Sequence, residues 1–516
     1  MTAEVSTGSA IDRRRLLAAG TAVALVSSGA GAQEANGELF ADGAPFDRTK
    51  LIDHARALAK KPYAAPNAPL PEGFSNLTFE QYAGIRHRRE RAVWADSPRG
   101  LMIEPLHRGS IYQMPVQIAL VENGIVRRLV YSPARYDFGR VQAPPATTAD
   151  IGFSGFRLVK QTADGASRDI ALFQGASFAR AIARNQVFGG ISRALSLKIG
   201  EQRGEEFPFF RAYWIQQPQT DDTIVVHALL DSDSAAGIFT FTLYVSDLTL
   251  IDTEATLFPR VALENFGVAG MQGTFLFSMT DRRGVDDYRP QVYEVGGVQM
   301  LSGNGEWIWR PVINPKQLQI SMFSAVSPRG FGLVMRERDF FAFHDIDNRW
   351  DLRPTIWMEP IGDWGPGALQ LIEIPSESEI HDNIIAIWRP KEPLAAGGEF
   401  NFAYRQHWCW MPPERPPLAM VSATRTGRTG TARRRRFVVD FIGERLINPN
   451  GLEITPQVWA SNNGVQNIRM LPGGEARPFR VIFDLDTGTE QLIELRLALM
   501  SGNSPLSETW LYRWTP

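Results

Sequence analysis

The sequence lacks the residues from which disulfides, metal sites and nucleotide sites are built. Cys409 is its only cysteine, so no intramolecular disulfide can form, and we expect a small buried side chain there. The seven histidines include no pair at metal-ligand spacing, and His-Glu-x-x-His and Cys-x-x-Cys are absent. A Walker loop, a dinucleotide glycine fingerprint and a Gly-x-Ser-x-Gly elbow are also missing. These absences disfavour a transition-metal site, nucleotide chemistry and that form of serine hydrolysis, and no cofactor is implied.

Neither sign of charge is in excess. The 516 residues include 54 Lys and Arg against 56 Asp and Glu, a formal net charge of −2. This balance does not indicate a polyanionic partner, so nucleic acid is disfavoured. The one basic run, in TARRRRF ending at Phe437, is interpreted as a solvated loop that leads into the strand-like FVVDFIG.

The apolar run near the N-terminus, Leu16 to Val26, is too short to cross a bilayer. It follows Arg13 to Arg15 and precedes Ala30-Gly31-Ala32, an order of basic, apolar and small residues that is typical of an export signal. Arg-Arg-Arg-Leu-Leu fits a twin-arginine signal, which exports folded proteins. We therefore predict a signal over residues 1–32, cleaved after Ala32, and a periplasmic protein without stable membrane insertion. An uncleaved anchor is the alternative.

Short β-branched or aromatic segments, separated by Gly, Pro, Asn and Asp, dominate the chain after two predicted helices. The helices are TKLIDHARALAKK and TFEQYAGIRHRRERAVW, and the strands include TIVVHALL, GIFTFTLYV and NIIAIW. The pattern predicts an all-β protein. Pro and Gly become frequent at residues 389–400, before strands running from FNFAYRQHWCW to SETWLYRW. We place a boundary there, between a large N-terminal β-sandwich over residues 33–390 and an immunoglobulin-like sandwich over 391–516.

Tryptophans and carboxylates concentrate in one part of the N-terminal region. Six of the 13 Trp lie between residues 307 and 388, among the acidic segments HDIDNRWDLRP, MEPIGDWG and IPSESEIHDN. Apolar pyranose faces stack on indoles, whereas sugar hydroxyls need the planar donors and acceptors of Arg, Asn, Asp and Glu. Cleaving or transferring a glycosidic bond then needs two carboxyl groups. The mixture favours a carbohydrate cleft, although solvated or turn positions explain most single carboxylates, including Asp345, Asp347 and Asp351.

The stretch GNGEWIWRP, residues 303–311, leaves two interpretations open. As an extended strand it would place Trp307 and Trp309 on one face and Glu306, Ile308 and Arg310 on the other. The two indoles would then either fill a sandwich core or stack on a flat apolar ligand.

Taken together, the motifs resemble those of the periplasmic glucan biosynthesis proteins, the G and D proteins of osmoregulated periplasmic glucan synthesis. Matching segments span almost the whole mature chain and include GFSGFRL at 152, LFQGASFARA at 172, GNGEWIWRP at 303, DNRWDLRPTIWMEP at 347 and HDNIIAIWRP at 381. The resemblance implies a galactose-mutarotase-like N-terminal β-sandwich joined to an immunoglobulin-like domain. The signal resembles that of the D branch more than that of the G branch.

The function implied by the resemblance is action on β-1,2-glucan by an inverting mechanism, either as a hydrolase or as an enzyme that transfers or cyclises the chain. The alternative is a non-catalytic protein that binds or shapes the nascent glucan. The resemblance also implies a homodimer in which the segment TRTGRTGTARRRR reaches the partner's cleft.

Site residues follow from the same resemblance. The family pattern assigns the general acid to Asp382, while Glu294 stands at the position of the family's aspartate base and Glu379 matches a second acidic position. Trp350 stands where relatives often carry Tyr. The changes at 294 and 350 weigh against hydrolysis more than against binding, and predict that transfer or cyclisation outcompetes hydrolysis. The predicted substrate-binding residues are Glu306, Trp307, Trp309, Arg310, Trp350, Arg353 and Trp364.

Overall fold

The computed structural model describes residues 38–66, 69–145, 150–162, 165–282, 284–447, 451–474 and 477–516. The predicted signal over 1–32 lies outside these residues. Among them, no helix has the length and apolar character needed to cross a membrane. The helices are α1 (Arg48–Ala59), α2 (Phe79–Ala83), α3 (Phe340–Phe343) and α4 (Glu444–Ile447), with single 3-10 turns at Glu38–Phe40, Arg89–Arg91, Pro133–Arg135 and Trp350–Leu352.

The first predicted helix is confirmed as α1, whereas the second is much shorter than predicted. In α1, the Asp47 side chain accepts a hydrogen bond from Thr49 N at 2.8 Å, and Leu51 and Ala55 are buried. The second helix, α2, ends at Ala83 because Gly84 caps it, and the chain then becomes extended.

Strands are the main secondary structure of the described chain. From residue 86 to residue 293 they are β1 (Arg86–His87), β2 (Leu101–Leu106), β3 (Gln117–Glu122), β4 (Ile125–Leu129), β5 (Tyr136–Asp137), β6 (Gly155–Gln161), β7 (Ser167–Gln174), β8 (Phe178–Ala181), β9 (Ile191–Leu197), β10 (Phe209–Gln216), β11 (Thr223–Asp231), β12 (Ala235–Val245), β13 (Thr249–Pro259), β14 (Phe266–Gly273), β15 (Phe275–Phe277) and β16 (Val292–Tyr293). From residue 297 to residue 514 they are β17 (Gly297–Leu301), β18 (Trp307–Pro311), β19 (Gln319–Val326), β20 (Gly330–Val334), β21 (Thr355–Ile361), β22 (Pro366–Glu373), β23 (Ile384–Pro390), β24 (Phe400–Cys409), β25 (Met420–Thr429), β26 (Thr431–Ile442), β27 (Thr455–Ala460), β28 (Val465–Leu471), β29 (Phe479–Asp486), β30 (Ile493–Ser501), β31 (Ser504–Pro505) and β32 (Thr509–Trp514).

Two large sheets pack face to face. Sheet A has the order β27-β30-β32-β18-β17-β20-β21-β24-β13-β12-β11-β10-β3-β4, with β31 beside β30, and sheet B has the order β19-β22-β23-β14-β9-β8-β7-β6-β2. Aromatic side chains from both sheets fill the space between them. For example, the Phe173 ring centroid of β7 lies 5.3 Å from that of Phe241 of β12. The predicted all-β class is confirmed, with a sandwich as its main unit.

One strand lies in a different place from the prediction. β24 was expected to begin the C-terminal piece, but it pairs with β13 and β21 in the middle of sheet A. The segment rich in Pro and Gly at 389–400 carries the chain from β23 in sheet B to β24 in sheet A, so it connects two layers of one sandwich. The division at residue 390 stays a prediction, but this strand assignment is wrong.

The C-terminal strands form a second pair of layers. A four-stranded sheet, β25-β26-β29-β28, packs on β27, β30 and β32 through contacts such as Phe437 and Phe483 against Trp510. Sheet A runs through both sandwiches because β18 pairs in parallel with β32, with Trp309 opposite Trp510. The GNGEWIWRP segment therefore lies at the seam between the two sandwiches.

The basic run and Cys409 are both placed in strands. Arg433 to Arg436 lie in β26 rather than in a loop, because Arg436 faces Asp484 of β29 and Nε of Arg436 lies 2.8 Å from Oδ1 of Asp484. The interpretation as a solvated loop is therefore wrong. Cys409 is buried at the end of β24, as predicted.

Candidate active site

Asp382 and Glu294 meet at Thr274, directly after β14. Thr274 N donates to Glu294 Oε1 at 3.1 Å, and Thr274 Oγ1 lies 3.3 Å from Asp382 Oδ1. The strand register explains this meeting, because Gly273 at the end of β14 pairs with Ile384, two residues after Asp382. Glu294 directly follows β16, which pairs with β15 on the other side of Thr274. The two predicted catalytic carboxyl groups are therefore brought together by three strand ends.

The two carboxyl groups differ in exposure. Glu294 is only 6% exposed, whereas the side chain of Asp382 is 23% exposed. Burial and the neighbouring Asp382 carboxylate raise the pKa of Glu294 to about 7, against the lowering effect of Arg353. Glu294 is therefore partly protonated near neutral pH, and Asp382 is the member of the pair that a ligand can reach more easily.

Two glycines leave the space that the Glu294 carboxyl occupies. A Cβ at Gly189 would lie 2.8 Å from Glu294 Oε2, and a Cβ at Gly273 would lie 3.0 Å from Glu294 Oε1. Both distances are shorter than ordinary carbon–oxygen contacts. A side chain at either position would displace the carboxyl, so these glycines are part of the site.

A chain of polar side chains holds the second oxygen of Asp382. Gln272 Nε2 donates to Asp382 Oδ2 at 2.9 Å, and Arg180 Nη2 lies 3.9 Å from the same oxygen. Gln272 Oε1 in turn accepts from Arg193 Nε, and Arg193 is ion-paired with Glu205. Because a guanidinium can only donate, the Gln272 amide must direct its nitrogen towards Asp382. The orientation of the donor on Asp382 is thus fixed from the interior of the protein.

Glu379 belongs to a second cluster that adjoins the first. Its Oε2 lies 2.5 Å from Arg289 Nη2, and its Oε1 accepts from Asn348 Nδ2 at 3.2 Å. Its backbone carbonyl lies 3.3 Å from Thr274 Oγ1, the hydroxyl that also contacts Asp382. Glu379, with 27% of its side chain exposed, adds a carboxylate acceptor beside the carboxyl pair, and Arg289 and Asn348 add planar donors.

Trp350 and Arg353 lie in the same neighbourhood, where they contact Asp345 and Asn348 of the second cluster. Trp350 is buried, and its Nε1 donates to Asp345 Oδ2 at 2.9 Å. Although partial burial opposes the shift, hydrogen bonds from Asn348, Arg289 and Trp350 hold the pKa of Asp345 well below its usual range. Arg353 donates to the Asn348 carbonyl at 2.8 Å and lies over the Trp350 ring.

Five predicted substrate-binding residues make their described contacts with residues outside both clusters. Trp309 is buried under the guanidinium of Arg336, which lies 3.5 Å from the ring centroid, and Arg310 Nη2 donates to the buried Glu373 Oε2 at 3.0 Å. The core interpretation of the indoles is therefore the one that the structure supports. The five residues are Glu306, Trp307, Trp309, Arg310 and Trp364.

Trp307 and Trp364 likewise serve packing. Trp307 is buried and stacks on Trp357 with centroids 6.1 Å apart. Trp364 donates from Nε1 to the Ala403 carbonyl at 3.1 Å, and its ring packs against Trp388. The described partners of the two indoles are other aromatic rings and a backbone carbonyl, and Asp382 is not among them.

Sequence reasoning missed the polar residues that hold the carboxyl pair. Gln272 and Thr274 end an otherwise apolar segment, FGVAGMQGT, and that change of character was a usable signal. Arg180 and Arg193 carried no such signal, since their partners are distant in sequence. Among the described residues, no group of three His, Cys, Asp or Glu side chains is placed to hold a metal ion.

Comparisons with known proteins agree on one family. Residues 46–514 match the family model described as "Periplasmic glucan biosynthesis protein, MdoG". Glucans biosynthesis protein G of Shewanella baltica (strain OS195) is 42% identical over 482 residues, 92% of this chain and 88% of its own. Glucans biosynthesis protein G 1 of Shewanella oneidensis is 41% identical over 481 residues, with the same shares. Both names belong to the G branch, and the likeness of the signal to the D branch stays a prediction.

Among solved structures, a galactose mutarotase related enzyme from Lactobacillus acidophilus overlaps 47% of this chain and 97% of its own. The identity is 9% and the TM-score is 0.21. A likeness of this size carries no argument about function, and the all-β class stands on the sheets themselves.

Proposed function

Because the chain belongs to the periplasmic glucan biosynthesis protein family, MdoG, we propose that it acts on β-1,2-glucan with Asp382 and Glu294 as catalytic carboxyl groups. The observation that carries this proposal is the coupled pair at Thr274, in which one carboxyl is buried and the other is exposed. Glycosidic bond cleavage needs a carboxyl group that brings a proton to the leaving oxygen. The raised pKa of Glu294, about 7, keeps a proton at the pair for part of the time near neutral pH, and this supports that role.

Asp382 is the proposed general acid, since it is the member of the pair that a bound glucan can touch. Its proton passes to the glycosidic oxygen as the bond from that oxygen to the anomeric carbon breaks. The Gln272 donor on Oδ2 and the nearby Arg180 stabilise the carboxylate that remains. The attacking oxygen comes from the opposite face of the sugar, as inversion requires.

Glu294 is the proposed base, and its burial bears on what attacks. A water molecule in direct contact with a carboxyl that is only 6% exposed has little room, so its proton would have to reach Glu294 through a relay. Trp350 offers no hydroxyl to such a relay, because its only polar atom donates to Asp345. We therefore propose that a sugar hydroxyl, positioned by the whole bound chain, competes well with water as the nucleophile and passes its proton towards Glu294 as the new glycosidic bond forms, so that transfer or cyclisation exceeds hydrolysis.

The second cluster is the proposed hydroxyl-binding part of the site. Glu379, Arg289 and Asn348 present planar donors and acceptors next to the carboxyl pair, as sugar hydroxyls require. Nη1 of Arg289 also lies 2.7 Å from Oδ2 of Asp345, so the cluster is in place before a glucan binds.

Export and assembly complete the proposal. The predicted signal and the family support a periplasmic protein that is exported by the twin-arginine route and whose copies form a homodimer. Replacing Arg13 and Arg14 by Lys should leave the protein in the cytoplasm. Undiminished periplasmic protein in a strain without that translocon would contradict the route.

A non-catalytic protein that binds or shapes the nascent glucan is the second candidate. The burial of Glu294 favours it, because a base without contact to water gives little hydrolysis. Such a protein has no need of an acid at Asp382, and this requirement separates the two candidates.

The test is the action of wild-type protein and of Asp382→Asn on linear β-1,2-glucan, followed by mass and by reducing ends. We expect turnover to fall by about 100-fold to 10,000-fold, with glucan binding unchanged within a few-fold, because only the proton for the transition state is lost. Asp363→Asn, in an exposed loop, is the matched control. Turnover of Asp382→Asn at the wild-type level, or no turnover by the wild type, would favour the binding protein.

The same products test the preference for transfer. Glu294→Asp shortens the side chain beside Gly189 and Gly273 and makes room for water. We expect the share of new reducing ends to rise in this variant. A wild type that yields only linear oligosaccharides with new reducing ends would contradict the transfer preference and leave the acid role of Asp382 intact.

A further inference from the structure

A groove opens where sheet A continues into the C-terminal strands. Its volume is about 770 Å³, and it is lined by β18, β27, β30 and β32 together with the turn before β18. That volume is in the range of small-molecule sites. Among the described residues, the side chains of Asp382 and Glu294 have Gln272, Thr274 and Arg180 as partners, and none of these lines the groove. The groove is therefore a separate feature from the candidate active site.

An exposed tryptophan forms one wall of the groove. Along β27, Gln457 and Trp459 face outward while Val458 packs towards the second sandwich. Trp459 is 52% exposed, although an indole in a strand usually packs inward. The largest side chain of this strand thus lies on its outer face, in register with Arg496 of β30.

Polar groups form the opposite side. Glu306 Oε1 accepts from Arg496 Nη2 at 2.5 Å and from Thr509 Oγ1 at 2.7 Å. The Glu306 and Arg496 side chains are 29% and 48% exposed, so their ion pair contributes little to stability. Its more evident effect is to hold a planar carboxylate and a planar guanidinium in fixed positions near Trp459.

The chemistry of the lining selects a neutral ligand. Glu306 and Arg496 are the charged members of the lining, and their charges cancel. A phosphate or an acidic peptide would find no excess positive charge there, whereas a pyranose has an apolar face for the indole and hydroxyls for the polar side. We propose that this groove binds a second stretch of neutral β-glucan chain. The ligand class rests on the proposed function, whereas the location rests on the groove itself.

One segment connects the groove with the loop that leads to the active site. Glu306 begins it, and at the other end Asn314 Nδ2 donates to the Ser376 carbonyl at 2.7 Å, in the loop that leads to Asp382. Eight residues of extended chain span at most about 26 Å. A long glucan can occupy both places, whereas a short oligosaccharide can occupy only one. The groove would therefore hold a distal part of the chain that reacts at Asp382.

The test compares Trp459→Ala with Leu492→Ala, both made in the Asp382→Asn protein so that glucan stays intact. Leu492 is an exposed apolar residue of the same sandwich that does not line the groove. Binding of long linear β-1,2-glucan and of a short β-1,2-oligosaccharide is measured by calorimetry. We expect Trp459→Ala to weaken binding of the long chain by about tenfold, as loss of aromatic stacking predicts, and to spare the short one. Leu492→Ala should change neither.

Binding of the long glucan within twofold of the Leu492→Ala control would overturn the groove proposal. Its failure differs from failure of the proposed function. If the wild-type protein turns over glucan but Trp459→Ala leaves binding of the long chain unchanged, the groove proposal is wrong and the proposed function stands. Loss of long-chain binding in Trp459→Ala would support the groove even if the wild type turned over no glucan.

Discussion

Glu294 and Glu508 are both buried glutamates, but their surroundings are opposite. Glu508, at the seam between the sandwiches, accepts from Arg336 through both carboxyl oxygens, at 2.7 and 3.0 Å, and from Val421 N at 2.8 Å. Glu294 accepts a backbone N–H from Thr274 and has the Asp382 carboxyl as its neighbour. The first glutamate is neutralised by a cation, whereas the second sits next to a like charge.

The comparison shows that burial by itself does not mark a functional carboxyl group. A buried carboxylate with a guanidinium partner joins two parts of the fold through charge-assisted hydrogen bonds. A buried carboxyl beside another carboxyl has a raised pKa, because burial and the neighbouring like charge both disfavour its ionised form, and such a pKa is common in catalytic sites. Substitution of each glutamate tests whether the two differ in this way.

The largest expected effect on stability is at the seam. Glu508→Gln leaves the Arg336 guanidinium without its counter-ion in a mostly buried place, so the free energy of unfolding should fall by about 3–5 kcal/mol. Denaturant unfolding measures it. Glu494→Gln is the control, because Glu494 makes a more exposed pair with Arg513 and should cost about 1 kcal/mol or less. If the two variants lowered the free energy of unfolding equally, Glu508 would have no special structural role.

Glu294→Gln should raise the free energy of unfolding at pH 8, whereas Glu508→Gln should lower it. The carboxyl binds its proton with a pKa of about 7 in the folded protein against an ordinary 4.5, so stability falls as pH rises between these values, by about 3 kcal/mol in total. Glutamine does not titrate, so the variant should be more stable than the wild type at pH 8 and no more stable at pH 4. Thermal unfolding at both pH values checks this. A variant that is less stable at pH 8 would mean that Glu294 is a structural group like Glu508.

A smaller effect is expected from Gln272→Leu, which removes the donor to Asp382 Oδ2. One hydrogen bond to a charged group is worth about 1.5 kcal/mol, so turnover should fall about tenfold. The pH–rate profile should also move, because an ionised Asp382 is less stabilised without this donor. Gln370→Leu, another buried glutamine of sheet B, is the control for packing. An unchanged pH profile in Gln272→Leu would limit Gln272 to a packing role.

The fold class and the neighbourhood of the proposed catalytic pair could be predicted from the sequence. Strand periodicity is a local property, so the all-β class followed from it. The resemblance marked several motifs as parts of one site, and the structure brings residues from these motifs into one neighbourhood. They are Asp382, Glu294, Glu379, Trp350 and Arg353.

The remaining errors have a common physical cause, which is pairing over long sequence distances. Alternation within residues 303–311 shows which side chains share a face, but not what covers that face. Trp309 is covered because β18 pairs with β32, some 200 residues later, and Arg310 is neutralised by Glu373 of sheet B. The placement of β24 depended in the same way on partners on both sides, β13 and β21, which no local signal identifies.

The most direct test of the central claim is a carbon-13 NMR titration of the glutamate side-chain carboxyls in the wild type and in Asp382→Asn. If Asp382 and Glu294 are a coupled pair, one glutamate titrates near pH 7 in the wild type. Its pKa falls in Asp382→Asn, because the like charge that raised it is gone. Glu294→Gln assigns the signal. No glutamate titrating near pH 7, or one whose pKa is the same in Asp382→Asn, would contradict the claim that these two carboxyl groups share a proton.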